Sequence, residues 1–434
     1  MFDLVEARIA FAAQDRARLL RCVQAPGTYA PELAAKVDAI VNFPIAPIRP
    51  CLFTACYEEC LTSAAQMRRA PENPPQFLKA PASLDFIADL GGFEGWSAEL
   101  LLTRLALDTL KPRRRAAVVG TMRDDGIYIL EWIAHHRALG FEHFFIYTND
   151  NADLSDRLLG CLARSGIATV VDNEISGQVP PEAKAFGHAL NLVPALRDYE
   201  WALFIDSDEF LVPAPRFEYS VDAVLSVLEG AFPSRDAAAV CYDWLWFVSD
   251  FVYERRPGLL CERFQHARSH KLTKCIARPR DVLSMRRQHF PEVAPGLRIV
   301  DSLFQPLREE EIFERTSAEY GGGRINHYWP KSFQEFSVKK ARGAILGTEG
   351  NLYDRPFSTF FTWNGYGTTQ NAFPTDPQML AGIQEEIAWL RSLPGVSEAA
   401  DDIDRSFPQL LEKICEENTL RTLYIANRAE PGPL

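Results

Sequence analysis

Short apolar runs alternate with helix-like stretches between residues 116 and 242, and this alternation constrains the fold more than any other feature of the chain. The apolar runs lie at residues 116–120, 144–147, 168–171, 201–205 and 237–242. Between the first two runs, Ile127, Leu130 and Ile133 share one helical face, and Gly140 follows as a stop signal. Strands that alternate with helices are typical of proteins whose sheet is largely parallel. The sequence therefore predicts an α/β domain with a mostly parallel sheet.

Helical sequence flanks this domain on both sides. We predict a helical N-terminal region at residues 1–112, the α/β domain at 113–345 and a helical C-terminal region at 346–434. Proline-rich breaks interrupt the N-terminal region at residues 44–50 and 71–81. Helices are predicted at residues 155–165, 183–196, 332–346, 377–393 and 403–423. The aromatic segment 357–373 receives no assignment.

Charge and cysteine content narrow the classes of function. The chain carries 46 basic and 58 acidic side chains, a formal charge of −12, which argues against a protein that binds nucleic acid duplexes. Nine scattered cysteines fit free thiols in a reducing compartment, and the spacing of Cys51, Cys56 and Cys60 fits no usual zinc site. No run reaches the roughly 18 apolar residues of a membrane helix, and no cationic signal peptide begins the sequence. We expect a cytoplasmic protein, and peripheral contact with a membrane is compatible with this sequence.

Two carboxylates directly follow the fourth apolar run. In Asp206-Ser207-Asp208-Glu209, alternation along an extended chain points Asp206 and Asp208 to the same side at the carboxyl end of a strand. Ligands bind at that end of open α/β sheets. Two adjacent carboxylates repel each other unless a cation neutralises them, and oxygen ligands favour Mg²⁺ or Mn²⁺. The sequence predicts a site for a divalent cation and a diphosphate, although a polar strand end would show the same pattern.

Polar loops follow the first two predicted strands. Thr121 and Arg123 follow the first strand, where backbone N–H groups and a cation could meet an anion. Neither a dinucleotide-binding nor a Walker phosphate loop is present. Asp150 lies in the loop after the second strand, where it could contact a base or a ribose, or only shape the turn. An ordinary turn explains each loop by itself, and only their shared sheet edge with Asp206 favours a binding site.

Histidines and basic residues later in the chain could complete this site. His289 and His327 are both candidate metal ligands from outside the first strands, although a single histidine is more often structural. A basic set stands out in an acidic protein and could screen a diphosphate, or could simply face solvent. It comprises Lys271, Lys274, Arg278, Lys339, Lys340 and Arg342.

Several motifs, taken in order, resemble glycosyltransferases of the family 2-like type, and most closely those related to glycosyltransferase family 92. The similar stretches begin with TMRDDGIYILEWIAHHRALG from Thr121 to Gly140. The others are Tyr147 to Asp150, Asp206 to Leu211, Pro257 to Phe264, Lys274 to Pro279, and Asn326 to Tyr328 with Lys340 to Gly343. The resemblance covers roughly residues 116–345. One departure is the turn Arg123-Asp124-Asp125, where many relatives have Asn-Glu.

This resemblance implies a GT-A fold for residues 113–345, acting as the catalytic domain. It implies transfer of a sugar, a hexose, from a nucleotide diphosphate donor such as a UDP-sugar with Mn²⁺ or Mg²⁺ as cofactor. The acceptor would be a glycan or glycolipid, as in the synthesis of a bacterial-type surface polysaccharide. By position, Asp206 and Asp208 would bind metal and ribose, and His289 or His327 would complete the metal site. The nucleotide would be bound by five residues, namely Thr121, Arg123, Asp150, Asp206 and Lys274.

An inverting transfer also needs a carboxylate that accepts the proton of the acceptor hydroxyl. Glu262 and Asp243 are the candidates, and Glu262 is preferred because it lies in the similar Glu-Arg-Phe stretch. Aromatic side chains could stack on sugar faces, or belong to the core. They are Trp244, Trp246 and Trp329.

Three other classes of function remain open on the sequence. A phosphotransferase or phosphatase would use Asp206 as a nucleophile, but Glu209-Phe210 follows where that chemistry usually has Thr. A nucleotidyltransferase would release pyrophosphate instead of a nucleoside diphosphate. A carbohydrate-binding protein that has kept the fold would need no cation at Asp208.

Overall fold

The computed structural model describes most of the chain from residue 77 onward. The described residues are 4–13, 15, 18, 21–22, 77–90, 98–108, 110–176, 179–314, 318–341, 356–365 and 371–429. The cysteines at 51, 56 and 60, the break at 44–50, most of the break at 71–81, and Arg342 lie outside the described residues.

Strands from the whole described part of the chain join in one large sheet and one small one. In chain order they are β1 (Leu78–Ala80), β2 (Arg114–Met122), β3 (His143–Thr148), β4 (Ala168–Asn173), β5 (Tyr199–Asp206), β6 (Glu209–Pro213), β7 (Ala237–Val248), β8 (His266–Ala277), β9 (Val282–Ser284), β10 (Glu292–Val293), β11 (Arg298–Val300), β12 (Gly323–His327) and β13 (Asn371–Ala372). The order across the large sheet is β1-β4-β3-β2-β5-β8-β7-β12-β6, with β11 beside β7 and β13 beside β8. Strands β9 and β10 form the small sheet.

The large sheet is parallel in one half and mixed in the other. Strands β1, β4, β3, β2 and β5 run parallel to one another. Strand β8 is antiparallel to both β5 and β7, β12 is parallel to β7, and β6 is antiparallel to β12. The predicted α/β class with a mostly parallel sheet is therefore confirmed.

Helices cover both faces of this sheet. They are α1 (Leu4–Ala12), α2 (Ala98–Leu107), α3 (Gly126–Ala138), α4 (Ser155–Arg164), α5 (Pro181–Leu192), α6 (Val221–Ala231), α7 (Leu260–Arg263), α8 (Glu309–Glu314), α9 (Phe333–Ala341), α10 (Ser358–Gly365), α11 (Pro377–Arg391), α12 (Val396–Ile414) and α13 (Glu417–Ala429), with short 3₁₀ helices at Ala82–Asp89, Pro194–Asp198 and Pro215–Phe217. One face packs on α3, α4, α6 and the C-terminal helices, and the other packs on α5. Burial on both faces explains why the parallel strands read as continuous apolar runs.

The predicted strands are all present, but several boundaries and elements differ. The strand predicted at 237–242 continues to Val248. Its apolar run ends before the polar Asp243, but this side chain is also buried within β7. The helix predicted at 183–196 ends at Leu192, because Pro194 lacks the N–H that would continue it. The single helix predicted at 403–423 is wrong, because the chain becomes extended at Cys415 and separates α12 from α13.

Both flanking regions contact the α/β domain. Strand β1 adds to the sheet edge beside β4, and the fully buried Arg104 of α2 ion-pairs with Asp108 while it donates to the carbonyl of Val282. At the other end, α11 packs on α3, and α12 packs on α4 and α9. The division at residues 112 and 345 stays a prediction. Within the described residues, no helix is both long and apolar enough to cross a membrane.

Candidate functional site

The carboxyl ends of the parallel strands bring the first predicted site residues together. In the sheet register, Thr121 of β2 lies opposite Tyr147 of β3 on one side and Asp206 of β5 on the other. Asp150 follows β3 in an exposed turn with a left-handed backbone (φ 47°). The edge predicted from the sequence therefore carries Thr121, Asp150 and Asp206 on neighbouring strands and their loops.

The loops at this edge are tied to one another by side-chain hydrogen bonds. Asn151 accepts a bond of 2.9 Å from the backbone N–H of Asp124, and the carboxylate of Asp124 accepts one from Ala152 N–H. Asp125 accepts a bond of 2.6 Å from the hydroxyl of Ser207, the residue between the two acidic residues of the motif. The departure Arg123-Asp124-Asp125 thus supplies two acids that fix the loops around the site.

A tryptophan of helix α3 hydrogen-bonds to the backbone of the turn that carries Asp206 and Asp208. The indole N–H of Trp132 donates to the carbonyls of Asp206 and Glu209, at 3.0 and 3.1 Å. Gly120 of β2 makes room for this ring, since a Cβ there would lie 2.8 Å from it. Trp132 therefore fixes both ends of the turn that carries Asp206 and Asp208.

Lys274 of β8 neutralises the first carboxylate of the motif. Its fully buried ammonium lies 2.8 Å from Oδ2 of Asp206 and 3.6 Å from Oε2 of Glu209. Although burial opposes a charged amine, these two carboxylates raise the pKa of Lys274. Burial raises the pKa of Glu209 well above its usual value, and repulsion from Asp206 and Asp208 acts in the same direction.

Asp208 is surrounded by a histidine and two lysines. Oδ1 of Asp208 lies 3.5 Å from Nε2 of His327, Oδ2 lies 3.7 Å from Nζ of Lys331, and Lys339 of α9 donates to Oδ2. Burial alone would raise the pKa of Asp208, but Lys339, the ring of His327 and Lys331 hold it well below its usual value. Burial lowers the pKa of His327, against the opposing effect of Asp208.

Several buried polar atoms around these carboxylates have no hydrogen-bond partner among the described residues. They are Oδ1 of Asp206, Oε1 of Glu209, Nδ1 of His327 and the indole nitrogens of Trp244 and Trp246. A buried polar atom without a partner costs free energy and calls for an explanation, such as a bound ligand or ion. These five atoms make this edge of the sheet a candidate binding site.

Aromatic rings form one wall of the site. Trp244 and Trp246 of β7 pack on the ring of His327, with centroids 4.2 and 4.9 Å away. Trp246 also stacks on Trp329 at 5.7 Å and on Trp363 at 4.7 Å. The three tryptophans singled out in the sequence lie together, and Trp363 of α10 joins them from the aromatic segment that the sequence left unassigned.

The remaining candidates, His289 and Asp243, both lie next to Trp244. His289 packs edge-to-face on Trp244 at 4.9 Å, and its Nδ1 hydrogen-bonds to the carbonyl of Thr273 at 3.2 Å. Burial and the charge of Lys274 lower the pKa of His289 to about 3. Asp243, buried in β7 directly before Trp244, accepts a bond of 2.6 Å from the N–H of Glu319.

Among the described residues, no hydrogen bond or ion pair connects Glu262 to this cluster. Its exposed carboxylate accepts a bond from the N–H of Leu259 and so caps the single turn of α7. The neighbouring Arg263 pairs with Glu335 of α9 at 2.7 Å. These residues of the Glu-Arg-Phe motif thus hold α7 in place on α9.

Sequence reasoning missed Lys331 and Trp132 as parts of the site. Lys331 follows His327 by four residues, and this nearness to a candidate ligand was the available signal. Trp132 lay within the motif shared with the resembled family, but nothing local indicated that its N–H faces the acidic turn.

The residues present fit a divalent cation that a substrate helps to bind. No group of three or more His, Cys, Asp or Glu side chains in the described part of the chain could hold a metal ion by itself. Asp208 and His327 offer two donors 3.5 Å apart, and Mg²⁺-type cations commonly bind through one or two carboxylates plus water and substrate phosphates. Lys331 and Lys339 pair with the same carboxylate in this structure.

Comparisons with known proteins give one family. Residues 122–342 match the model of glycosyltransferase family 92. A glycosyltransferase family 92 protein of Ricinus communis is 35% identical over 95 residues, which are 20% of this chain and 15% of the relative, so the match spans a small part of that protein.

Two solved structures show weak overall similarity. The crystal structure of S. aureus TarS aligns with a TM-score of 0.26 and 12% identity, over 72% of this chain and 54% of TarS. A mycobacterial protein aligns with a TM-score of 0.24 and 16% identity, over 66% of this chain and 92% of that protein.

Proposed function

The chain belongs to glycosyltransferase family 92, and we propose that it transfers a sugar from a nucleotide diphosphate donor to a hydroxyl of a glycan or glycolipid. We further propose that the donor is a UDP-sugar, that a divalent cation is required, and that the configuration at the anomeric carbon is inverted. The observation that carries this proposal is the position of Asp208, which meets His327, Lys331 and Lys339 at the carboxyl end of the sheet.

Two lysines lie beside the single carboxylate of Asp208, and this excess of positive charge favours a bound diphosphate. Without substrate, Lys331 and Lys339 both pair with this carboxylate, while Lys274 already pairs with Asp206. A bound diphosphate would give the two lysines a second anionic partner. Asp208 and His327 would then be free to hold the cation, which as a Lewis acid stabilises the charge on the departing diphosphate.

The nucleotide half of the donor would lie over the ends of β2 and β3. Thr121 lies beside Asp206 in the sheet, and Arg123 and Asp150 extend from the two adjoining loops. The hydrogen bonds between these loops support a preformed site, because a ligand then need not order them. Lys274 would act there by fixing Asp206, its partner at 2.8 Å.

We propose Asp243 as the base that accepts the proton of the acceptor hydroxyl. Its position next to Trp244, whose ring packs on His327, supports this role. Glu262 is the weaker candidate because it is exposed and caps α7. Trp244 and Trp246 would face the transferred sugar, and their unpartnered indole N–H groups would donate to its hydroxyls.

Calorimetric titration with UDP, GDP, CDP and ADP, each with and without Mn²⁺, tests the proposal. We expect one diphosphate, UDP, to bind in a Mn²⁺-dependent way, and Asp208→Asn to lose that dependence. The control is Asp222→Asn, since Asp222 is exposed and pairs with Arg115 away from the site.

The products distinguish the rival chemistries. Release of UDP from a UDP-sugar supports glycosyl transfer, whereas release of pyrophosphate from a nucleoside triphosphate would indicate a nucleotidyltransferase. A folded protein that binds none of the four nucleotides would overturn the proposal and leave a carbohydrate-binding role.

A further inference from the structure

The ribbon formed by β6 and β12 has two faces, and the site described above uses only one of them. In its antiparallel register Glu209 lies opposite His327, Phe210 opposite Asn326, and Val212 opposite Arg324. Because side chains alternate along a strand, Arg324 and Asn326 point away from the face that carries His327. On that second face the chain encloses a cleft of about 560 Å³.

The cleft contains a cation without an acidic partner. Arg324 donates from Nε to the amide oxygen of Asn326 at 2.9 Å, and Asn326 in turn donates to the hydroxyl of Tyr328 at 3.4 Å. Among the described residues, no carboxylate forms an ion pair with Arg324, whereas the buried Arg263 and Arg197 each have one. The two terminal nitrogens of Arg324 are therefore available to a ligand.

Of the described residues that line the cleft, Asp376 is the one acidic side chain, and it is already engaged. Asp376 accepts the N–H of Gln378 at the start of α11, and Tyr219 hydrogen-bonds to the same carboxylate. A half-buried guanidinium stays charged, so an anionic group is the ligand that would satisfy Arg324.

The walls are suited to a ring rather than to a bare ion. The partly exposed rings of Tyr219 and Phe373 line the cleft, and the guanidinium of Arg324 lies 5.5 Å from the ring of Phe373. Aromatic faces with a few fixed polar groups, in a volume of this size, are typical of sites for small ligands.

We propose that this cleft is a second saccharide site, specific for a sugar that carries an anionic group, with Arg324 pairing with that anion. A uronate carboxylate and a sugar phosphate share this chemistry. The site goes beyond the proposed transfer reaction, because it lies on the face of the ribbon opposite His327 and includes neither Asp206 nor Asp208.

Saturation-transfer NMR on the full chain tests this with three probes: glucuronate, glucose 6-phosphate and glucose. We expect one or both anionic sugars to give signals at ring protons, at least fivefold stronger than glucose. Signals from glucuronate identify a carboxylate ligand, and signals from glucose 6-phosphate alone identify a phosphate. Equal signals from all three probes, or none from the wild type, would overturn the proposal without any variant.

Two variants of Arg324 assign the anion to this side chain. Arg324→Met should reduce the signals at least fivefold, and Arg324→Lys should retain part of them. Arg298→Met is the matched control, since Arg298 pairs with Asp236 near the surface on β11. Wild-type signals in Arg324→Met would overturn the assignment. Should this variant not fold, Phe373→Ala at the rim of the cleft should show the same loss.

The outcome is separable from that of the proposed transfer reaction. Mn²⁺-dependent UDP binding should be unchanged in Arg324→Met, and binding of the anionic sugar should be unchanged in Asp208→Asn. Loss of anionic-sugar binding in Asp208→Asn would show that the probe occupies the site at Asp208 and would overturn a second site.

Discussion

The ammonium of Lys274 lies 2.8 Å from Asp206, and both groups are held where the parallel half of the sheet meets the antiparallel half. Strand β8 lies antiparallel to β5 and carries Lys274 to the end of β5, the last strand of the parallel half. The lysine also faces the buried Glu209 at 3.6 Å. Asp206 and Glu209 thus share the ammonium of Lys274, whereas Asp208 pairs with Lys331 and Lys339.

Replacing Lys274 by methionine should destabilise the fold strongly. Removal of one partner from a buried ion pair leaves an uncompensated charge and typically costs about 3–5 kcal/mol. We expect the free energy of unfolding in urea to fall by that order. Lys79→Met is the control, because Lys79 forms an exposed pair with Glu174, and it should change stability by less than about 0.5 kcal/mol. Equal effects of the two variants would contradict the role of Lys274.

Replacing Lys331 by methionine should weaken the binding of UDP more than that of uridine. A charge-assisted hydrogen bond is worth roughly 1.5–3 kcal/mol, so the dissociation constant for UDP should rise about tenfold or more. Uridine lacks phosphates, and its affinity should not change. Titration calorimetry measures both, with Lys413→Met on the exposed side of α12 as the control. A parallel loss for uridine would mean that Lys331 only supports the structure.

The parallel half of the sheet could be predicted from sequence because its strands are buried on both faces. The runs that became β2 to β5 are continuous apolar segments, and the residues after them mark one edge. Strand β8 escaped prediction because HARSHKLTKCIA mixes charged and apolar residues without alternation. Its Lys274 pairs with acids of β5 and β6, which no local pattern reveals.

The two carboxylates of the site could likewise be predicted, but their partners could not. Asp206 and Asp208 follow an apolar strand directly. Lys331 and Lys339 come more than 120 residues later and reach Asp208 only because β12 pairs with β6 and α9 follows. Glu262 was preferred as a base from its motif, and the role that the structure assigns to its side chain is a local cap.

Stability below pH 5 should depend on Glu335. This buried carboxylate accepts hydrogen bonds from Arg263, Ser332 and Tyr128. Burial alone would raise its pKa, but the charge and hydrogen bonds of Arg263, with those of Ser332, lower it from 4.5 to about 2. The resulting stabilisation, about 3 kcal/mol, is complete above the unfolded pKa and is lost as the pH falls toward 2.

Urea unfolding of Glu335→Gln at pH 6, 5, 4 and 3 measures this contribution. We expect the wild type to be more stable than the variant at pH 6, and the difference to shrink steadily between pH 5 and pH 3. Glu398→Gln, at a side chain that is 80% exposed, should show a constant difference from the wild type. A difference for Glu335→Gln that does not vary with pH would contradict the lowered pKa.

Replacing Trp132 by phenylalanine should weaken Mn²⁺-dependent UDP binding, because the turn that carries Asp206 and Asp208 loses its hydrogen bonds to the indole N–H. The variant keeps the buried ring but removes the N–H that donates to Asp206 and Glu209. Trp201→Phe is a matched control, because Trp201 is equally buried and its N–H donates to Glu229 at 3.0 Å, away from the acidic turn. Trp132→Phe removes the donor from two backbone carbonyls and should lose roughly 1–3 kcal/mol of stability. Trp201→Phe should lose less, because Oε1 of Glu229 keeps its hydrogen bond from Arg115 at 2.9 Å. Only Trp132→Phe should raise the Mn²⁺ concentration needed for half-maximal UDP binding, since only there does the turn that carries Asp208 lose an anchor. If both variants bind UDP with the Mn²⁺ dependence of the wild type, Trp132 stabilises the fold without positioning the site.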